Sequence, residues 1–160
     1  MRANNLIVAK GKFAMYKFTK SVFIKRSQQD VFNFMSNPAN NTKWQPIEFA
    51  EWISDGAPGI GSSFKIAMKL FGRSTETVFE ITSWEPPSRY SYRSVKISSP
   101  AESIQTEIEL KSKEHGTQLT FEAQIGAAGI FKLTEGMLGK LAEKGDGSNI
   151  DTLKQILEAG

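Results

Sequence analysis

The side chains that most often carry acid–base or nucleophilic chemistry are nearly absent from this chain. It has no cysteine and one histidine, His115. The first absence removes thiolate nucleophiles, cysteine-ligated zinc or iron–sulfur centres, and disulfides. A Ser-His-Asp or Cys-His system needs an imidazole base. His115 stands in a Glu114-His115-Gly116 hairpin turn, where a solvated side chain is expected. A histidine-rich metal site is excluded for the same reason. Glu107 and Glu109 share one parity of a strand, but that parity reads as the solvent face, so they do not form an acid/base pair. Gly59-Ile60-Gly61 lacks the Gly-Lys-Ser/Thr ending of a phosphate loop. No metal and no cofactor is expected.

The elements that would hold any site are read from periodicity. Tyr16 to Lys25 has Phe18, Val22 and Ile24 on one parity and reads as a strand, although Phe23 blurs the alternation. Ser27-Gln28-Gln29-Asp30 resembles a capping box with a shorter acid, and Val31, Phe34 and Met35 follow at helical spacing. Asn37-Pro38 ends that helix and starts a second short one, which Trp44-Gln45-Pro46 stops.

From Ile47 the period becomes two. Ile47 to Ile53 is a strand whose inward parity is ambiguous. Phe64, Ile66, Met68 and Leu70 alternate with polar or small residues; then come Thr77, Phe79 and Ile81, then Tyr90, Tyr92 and Ser94. Ile104, Thr106, Ile108 and Leu110 make another inward set, and Leu119, Phe121, Ala123 and Ile125 the last. Six successive strands after the helices favour an antiparallel sheet. From Ala128 to Glu158 the period is helical, interrupted by Gly136, Gly139, Gly145 and Gly147. Each exposed interior glycine costs a helix about 1 kcal/mol relative to alanine, and Ser148 to Asp151 could cap a fresh helix after Gly147.

At 160 residues, with 39% hydrophobic and 23% charged residues, the chain suits one ordinary globular domain. No apolar run approaches the roughly 20 residues of a membrane helix, so no integral membrane association is expected, although transient membrane contact is compatible with it. The net charge of +3 is unevenly placed. Seven basic residues precede Asp30 with no acid among them, which leaves 13 basic and 17 acidic residues in the remainder. The expectation for the basic end is a solvated leader and strand face, with no nucleic-acid partner, because no recognised binding signature accompanies it. The lack of cysteine fits a cytoplasmic location.

Several fragments together carry a family resemblance. They are Ser27 to Met35 followed by Asn37-Pro38 and Trp44; Gly59-Ile60-Gly61-Ser62-Ser63-Phe64; Trp84-Glu85-Pro86-Pro87-Ser88-Arg89-Tyr90; His115 to Thr120; and Leu153 to Glu158. In that order the chain resembles the SRPBCC group, the START-domain or helix-grip proteins, and within it the polyketide cyclase/dehydrase-like branch. The resemblance covers Tyr16 to Gly160. It implies an α+β helix-grip fold: a seven-stranded curved antiparallel sheet around a long C-terminal helix, with two short helices between the first and second strands. In such relatives the helix is continuous, in tension with the glycines at 145 and 147. A kinked or mobile but unbroken helix is the expectation.

The resemblance also implies an apolar cavity between sheet and helix. Its lining would be Phe64, Ile66, Met68, Phe79, Ile81, Tyr90, Tyr92, Ile104, Ile108, Phe121 and Ala123 from the sheet. Ile130, Thr134, Met137 and Leu141 would face them from the helix. Pockets of this kind hold a few placed hydrogen-bonding groups, here the Tyr90 and Tyr92 hydroxyls with Thr77, Ser94 and Thr106. The alternative is a filled core with satisfied hydroxyls. Trp44 is either a core residue or a residue at the cavity mouth.

The leading function is binding or carriage of a hydrophobic small molecule, such as a lipid, an isoprenoid or a polyketide-like compound, by a monomer or weak homodimer. A cyclase or dehydratase that orients a reactive substrate in the same cavity is the alternative. A protein-interaction module of the chaperone-activator type is the third, and the polar outer face gives it little support.

Residues 15–160 are expected to form the single domain, and residues 1–14 a leader or N-terminal arm that is disordered or extends a strand. If translation starts at Met15, the untagged native protein has an intact mass that begins there. A mass that includes Met1 or Arg2 refutes that start.

Overall fold

The computed structural model describes residues 5–8, 13–70, 72–97, 101–128 and 147–160. Eight strands form one antiparallel sheet: β1 (Asn5–Val8), β2 (Phe13–Ile24), β3 (Phe49–Trp52), β4 (Ser63–Leu70), β5 (Arg73–Glu85), β6 (Arg89–Ile97), β7 (Ala101–Lys113) and β8 (Gly116–Ala128). Their order is β1-β2-β8-β7-β6-β5-β4-β3. The seven strands expected for the helix-grip sheet are β2 to β8, and β1 adds an eighth by pairing Asn5–Val8 with Lys17–Ala14. No described helix is long and apolar enough to cross a membrane.

Two short helices follow β2. In α1 (Gln28–Met35) the Ser27 hydroxyl accepts from the Asp30 amide at 3.1 Å, as the capping pattern anticipated. Val31, Phe32 and Met35 are buried, and Gln28 Nε2 donates to the Leu110 carbonyl. The second helix, Pro38–Lys43, is a 3-10 helix capped by the Asn37 side chain. At three residues per turn, Pro38, Asn41 and Trp44 fall on one face.

Lateral pairing sets which side chains share the concave face. Trp84, Tyr90, Ile108, Phe121 and Lys20 form one row across the sheet, and Ile81, Tyr92, Thr106, Ala123 and Phe18 the next. Two bulges bend the middle of the sheet. Thr82 is passed over between the Ile81–Tyr92 and Ser83–Ser91 pairs, so parity slips by one and Trp84 joins Ile81 on the inner face. The Ser91 hydroxyl holds this bulge, 2.7 Å from both the Thr82 and Ser83 hydroxyls. The strand thus continues through Trp84 to Glu85. Val95 is the extra residue of the second bulge and is exposed.

The ambiguity at Phe23 has a structural cause. Phe23 points away from the concave face and lies over Gly116, where an added Cβ would stand 2.6 Å from the phenyl ring and clash with the Ile24 carbonyl. Only glycine lets β8 start that close to the end of β2.

The C-terminal helix α2 (Ser148–Ala159) buries Ile150, Leu153 and Leu157 and packs on β2. Lys20, on the concave face and 7% exposed, donates to the Gly147 carbonyl at 2.8 Å and pairs with Asp151 at 2.9 Å. This corrects the expectation that the early lysines are all solvated. Arg26 donates to the Leu157 carbonyl at 2.7 Å, and Lys154 to the Phe23 carbonyl. The expected continuity of the helix through residues 128–146 lies outside the described residues.

On the outer face, charges pair across strands: Lys65 with Glu51 and Glu76, Arg89 with Glu107, Arg93 with Glu80, and Lys17 with Glu122. Such exposed pairs contribute at most about 1 kcal/mol each, and they describe a solvated surface.

Lys20→Met keeps the aliphatic stem and leaves the Gly147 carbonyl without its donor. It is expected to lower stability by about 1–3 kcal/mol and to speed amide exchange in α2 ahead of the sheet, as read by denaturant melts and hydrogen exchange. Unchanged exchange in α2 would show that the clamp does not hold the helix.

Candidate functional site

The concave face is organised by aromatic rings. Phe64 stacks on Phe79 with centroids 5.2 Å apart, and both meet Tyr92 edge-on at 5.1 and 5.2 Å. Tyr92 lies 6.3 Å from Tyr90, which Phe32 of α1 approaches edge-on at 5.5 Å. Trp52 reaches Phe64 and Trp84, closing a continuous aromatic wall. Each edge-on or offset pair adds about 0.5–1.5 kcal/mol beyond the area it buries, so the wall is rigid as well as apolar.

Between this wall and the 3-10 helix lies an enclosed cavity of about 10 Å3, room for a single water-sized group. Of the residues expected to line a pocket, it brings together Trp44, Phe64, Ile81, Tyr90, Tyr92 and Ile108. Met35, Ser36, Pro38, Asn41 and Trp52 complete it. Sequence reasoning missed these five. The three-residue spacing of Pro38, Asn41 and Trp44 was the available signal, but it identifies a face only once the helix is known to be 3-10.

Beside the cavity, an open groove of about 530 Å3 runs between α1 and the turns at Pro58 and Pro86. Phe32, Trp52 and Trp84 form its apolar wall, and Asn33, Ser36 and Asn37 its polar edge. Ser36 and Trp52 belong to both spaces.

The remaining expected positions lie elsewhere. Thr77, Phe79, Thr106, Phe121 and Ala123 are buried on the inner side without touching the enclosed cavity. Ile66, Met68, Ser94 and Ile104 are half-buried. Ser94 has a backbone partner, since its hydroxyl accepts from the Ile104 amide at 2.9 Å where the regular β6–β7 pairing ends. Ile130, Thr134, Met137 and Leu141 lie outside the described residues. Trp44 is a core residue that lines the cavity.

Among the described residues that line these two spaces there is no Asp, Glu, Lys, Arg or His. Burial pushes the Tyr90 phenol well above its ordinary pKa, and the neighbouring Tyr92 adds to the shift. A phenol so shifted is a weaker acid than free tyrosine. Among the described residues no three or more His, Cys, Asp or Glu side chains cluster as metal ligands would. His115 is exposed at the hairpin tip.

Comparison with known proteins agrees with this architecture. The family described as "Polyketide cyclase / dehydrase and lipid transport" matches residues 15–158. A START superfamily protein from Mycobacterium smegmatis superposes with a TM-score of 0.76 at 14% identity, covering 89% of this chain and 97% of the other. The crystal structure of Ara h 8.0201 gives 0.70 at 12% identity, covering 91% and 99%. Protein CV1439 from Chromobacterium violaceum gives 0.66 at 17%, covering 89% and 96%. At these identities the likeness is one of fold. No curated protein matches the sequence significantly.

The raised Tyr90 pKa has a definite consequence for stability. The neutral phenol is favoured in the folded state, so its contribution is fully present below the unfolded-state value near 10 and is lost as pH rises above it. Thermal melts are expected to show stability falling above pH 10, with phenolate absorbance of Tyr90 appearing only as the protein unfolds. Tyr90→Phe should flatten this alkaline slope; an unchanged slope would place the titration elsewhere.

Proposed function

We propose that this chain, which belongs to the polyketide cyclase / dehydrase and lipid transport family, binds and carries a hydrophobic small molecule against the aromatic wall of its concave face, beside α1 and the 3-10 helix. The observation that carries this reading is the aromatic wall with an enclosed cavity and an open groove set side by side along it. Small-molecule sites combine apolar walls with a few fixed polar groups, and this corner of the fold has that composition. A lipid, an isoprenoid or a polyketide-like molecule fits its chemistry.

Carriage is favoured over catalysis by the state of the polar groups. Lys20 is engaged by Gly147 and Asp151, the Ser94 hydroxyl serves the backbone, and burial makes Tyr90 a weaker acid than a free phenol. The family description itself supports a second reading, a cyclase or dehydratase that orients an intrinsically reactive substrate and leaves proton movement to water or to Tyr92.

Native mass spectrometry of the purified protein, with organic extraction, is expected to release a reproducible apolar compound. Ser36→Trp, at a residue that lines both the cavity and the groove, should weaken rebinding of that compound at least about tenfold while far-ultraviolet circular dichroism stays unchanged. A protein that carries nothing and takes up no fatty acid, isoprenoid or aromatic polyketide fails the proposal. Loss of turnover with retained binding in Tyr92→Phe would replace carriage by catalysis.

A further inference from the structure

All three tryptophans of the chain converge on one corner of the fold. Trp44 and Trp52 line the enclosed cavity, and Trp52 and Trp84 line the groove beside it. Two lining residues of the cavity carry buried polar atoms with no hydrogen-bond partner, Trp44 Nε1 and Asn41 Oδ1. The residues are 5% and 6% exposed, so bulk water does not compensate either atom. The Asn41 backbone carbonyl, by contrast, is fully used, accepting from the Trp44 and Gln45 amides. Buried donors and acceptors are rarely left unpaired, and those that are point to a missing partner.

The chemistry of the two atoms narrows what that partner is. An indole N–H only donates, and an amide oxygen only accepts. A single group that reaches both atoms has to accept from Trp44 and donate to Asn41, which a hydroxyl does. A ketone or ether oxygen would leave Asn41 unpaired, and an ammonium would leave Trp44 unpaired. At about 10 Å3 the cavity admits one oxygen but no carboxylate or ring. An apolar body must stay outside, and the adjoining groove offers Phe32, Trp52 and Trp84 to receive it.

We propose that the enclosed cavity is a hydroxyl-recognition subsite. The apolar body of the bound molecule lies along the aromatic groove, and its hydroxyl passes Ser36 and Trp52 to sit between Trp44 Nε1–H and Asn41 Oδ1. The cargo class is accordingly an apolar alcohol or phenol rather than a pure hydrocarbon or a fatty-acid carboxylate. This inference rests on the small-molecule reading above and specifies one end of its ligand.

The test uses two probes of similar shape, 2-naphthol and 2-methoxynaphthalene, of which only the first can both donate and accept. Binding is followed by calorimetry and by the three tryptophan indole N–H signals in 15N-labelled protein, assigned with single Trp→Phe variants. We expect 2-naphthol to move the Trp44 indole signal and to bind about tenfold more tightly than its methyl ether. In Asn41→Leu the two probes should bind alike; if that variant does not fold, the wild-type comparison decides alone. Equal affinities, or an unmoved Trp44 signal at saturation while those of Trp52 and Trp84 shift, would mean that the cavity holds only a structural water. That result overturns the subsite and leaves small-molecule binding standing. If neither probe, nor a long-chain alcohol, moves any indole signal, the subsite fails, and uptake of a fatty acid, an isoprenoid or an aromatic polyketide decides whether the binding function stands.

Discussion

The fold depends on how the two ends of the domain are fastened together along β2. This strand runs beside β8, nearly a hundred residues later, and at the same time holds the C-terminal helix. The fastening is polar at both ends of α2 and apolar between them. Lys20 reaches up from the sheet to the Gly147 carbonyl, and Arg26 takes the Leu157 carbonyl at the other end. The second contact complements the helix dipole, whereas a cation at the first turn opposes it. Asp151 resolves that conflict by standing one turn in and pairing with Lys20. The Lys25 amide, with help from Lys154, holds the Glu158 carboxyl below its ordinary pKa and adds a further tie. Ile150, Leu153 and Leu157 then lie buried between these anchors.

With the helix fixed to β2 at one side, the aromatic wall occupies the other. The sheet bends there because β5 and β6 each carry an extra residue. The bend brings Trp84 inward to Phe32 of α1, whose ring stands 5.2 Å away. Without the slip at Thr82, the alternation would turn Trp84 to solvent, and the groove would lose a wall. A bulge in one strand therefore decides whether the groove has its Trp84 wall.

Much of this order was legible because periodicity reports burial directly. The capped start of α1 at Ser27, the proline-initiated helix after Asn37 and the alternation from Phe64 to Ile125 each depend on neighbours within a few residues. The inner parity of β4 to β8 followed from the same signal. The concave position of Lys20 did not, because a lysine on an apolar parity reads as an exception until its partners, 127 and 131 residues away, are in place. Phe23 blurred the pattern for the opposite reason: it is an apolar residue on the outer face, where glycine at 116 leaves room for its ring.

The sequence by itself determined the α+β class, the order of the elements from β2 onward, most of the inward set of the sheet and the family to which the chain belongs, since these are written in local spacing and in motif order. Only the tertiary structure decided which inward residues meet. Trp44, Asn41 and Trp52 enclose one small space because a 3-10 helix, a β-bulge and an edge strand happen to face one another, and no local pattern encodes that meeting. Unpaired polar atoms belong to the same category. Whether Trp44 and Asn41 find partners depends on everything packed around them, so they become visible as a possible ligand contact only when the surrounding chain has closed.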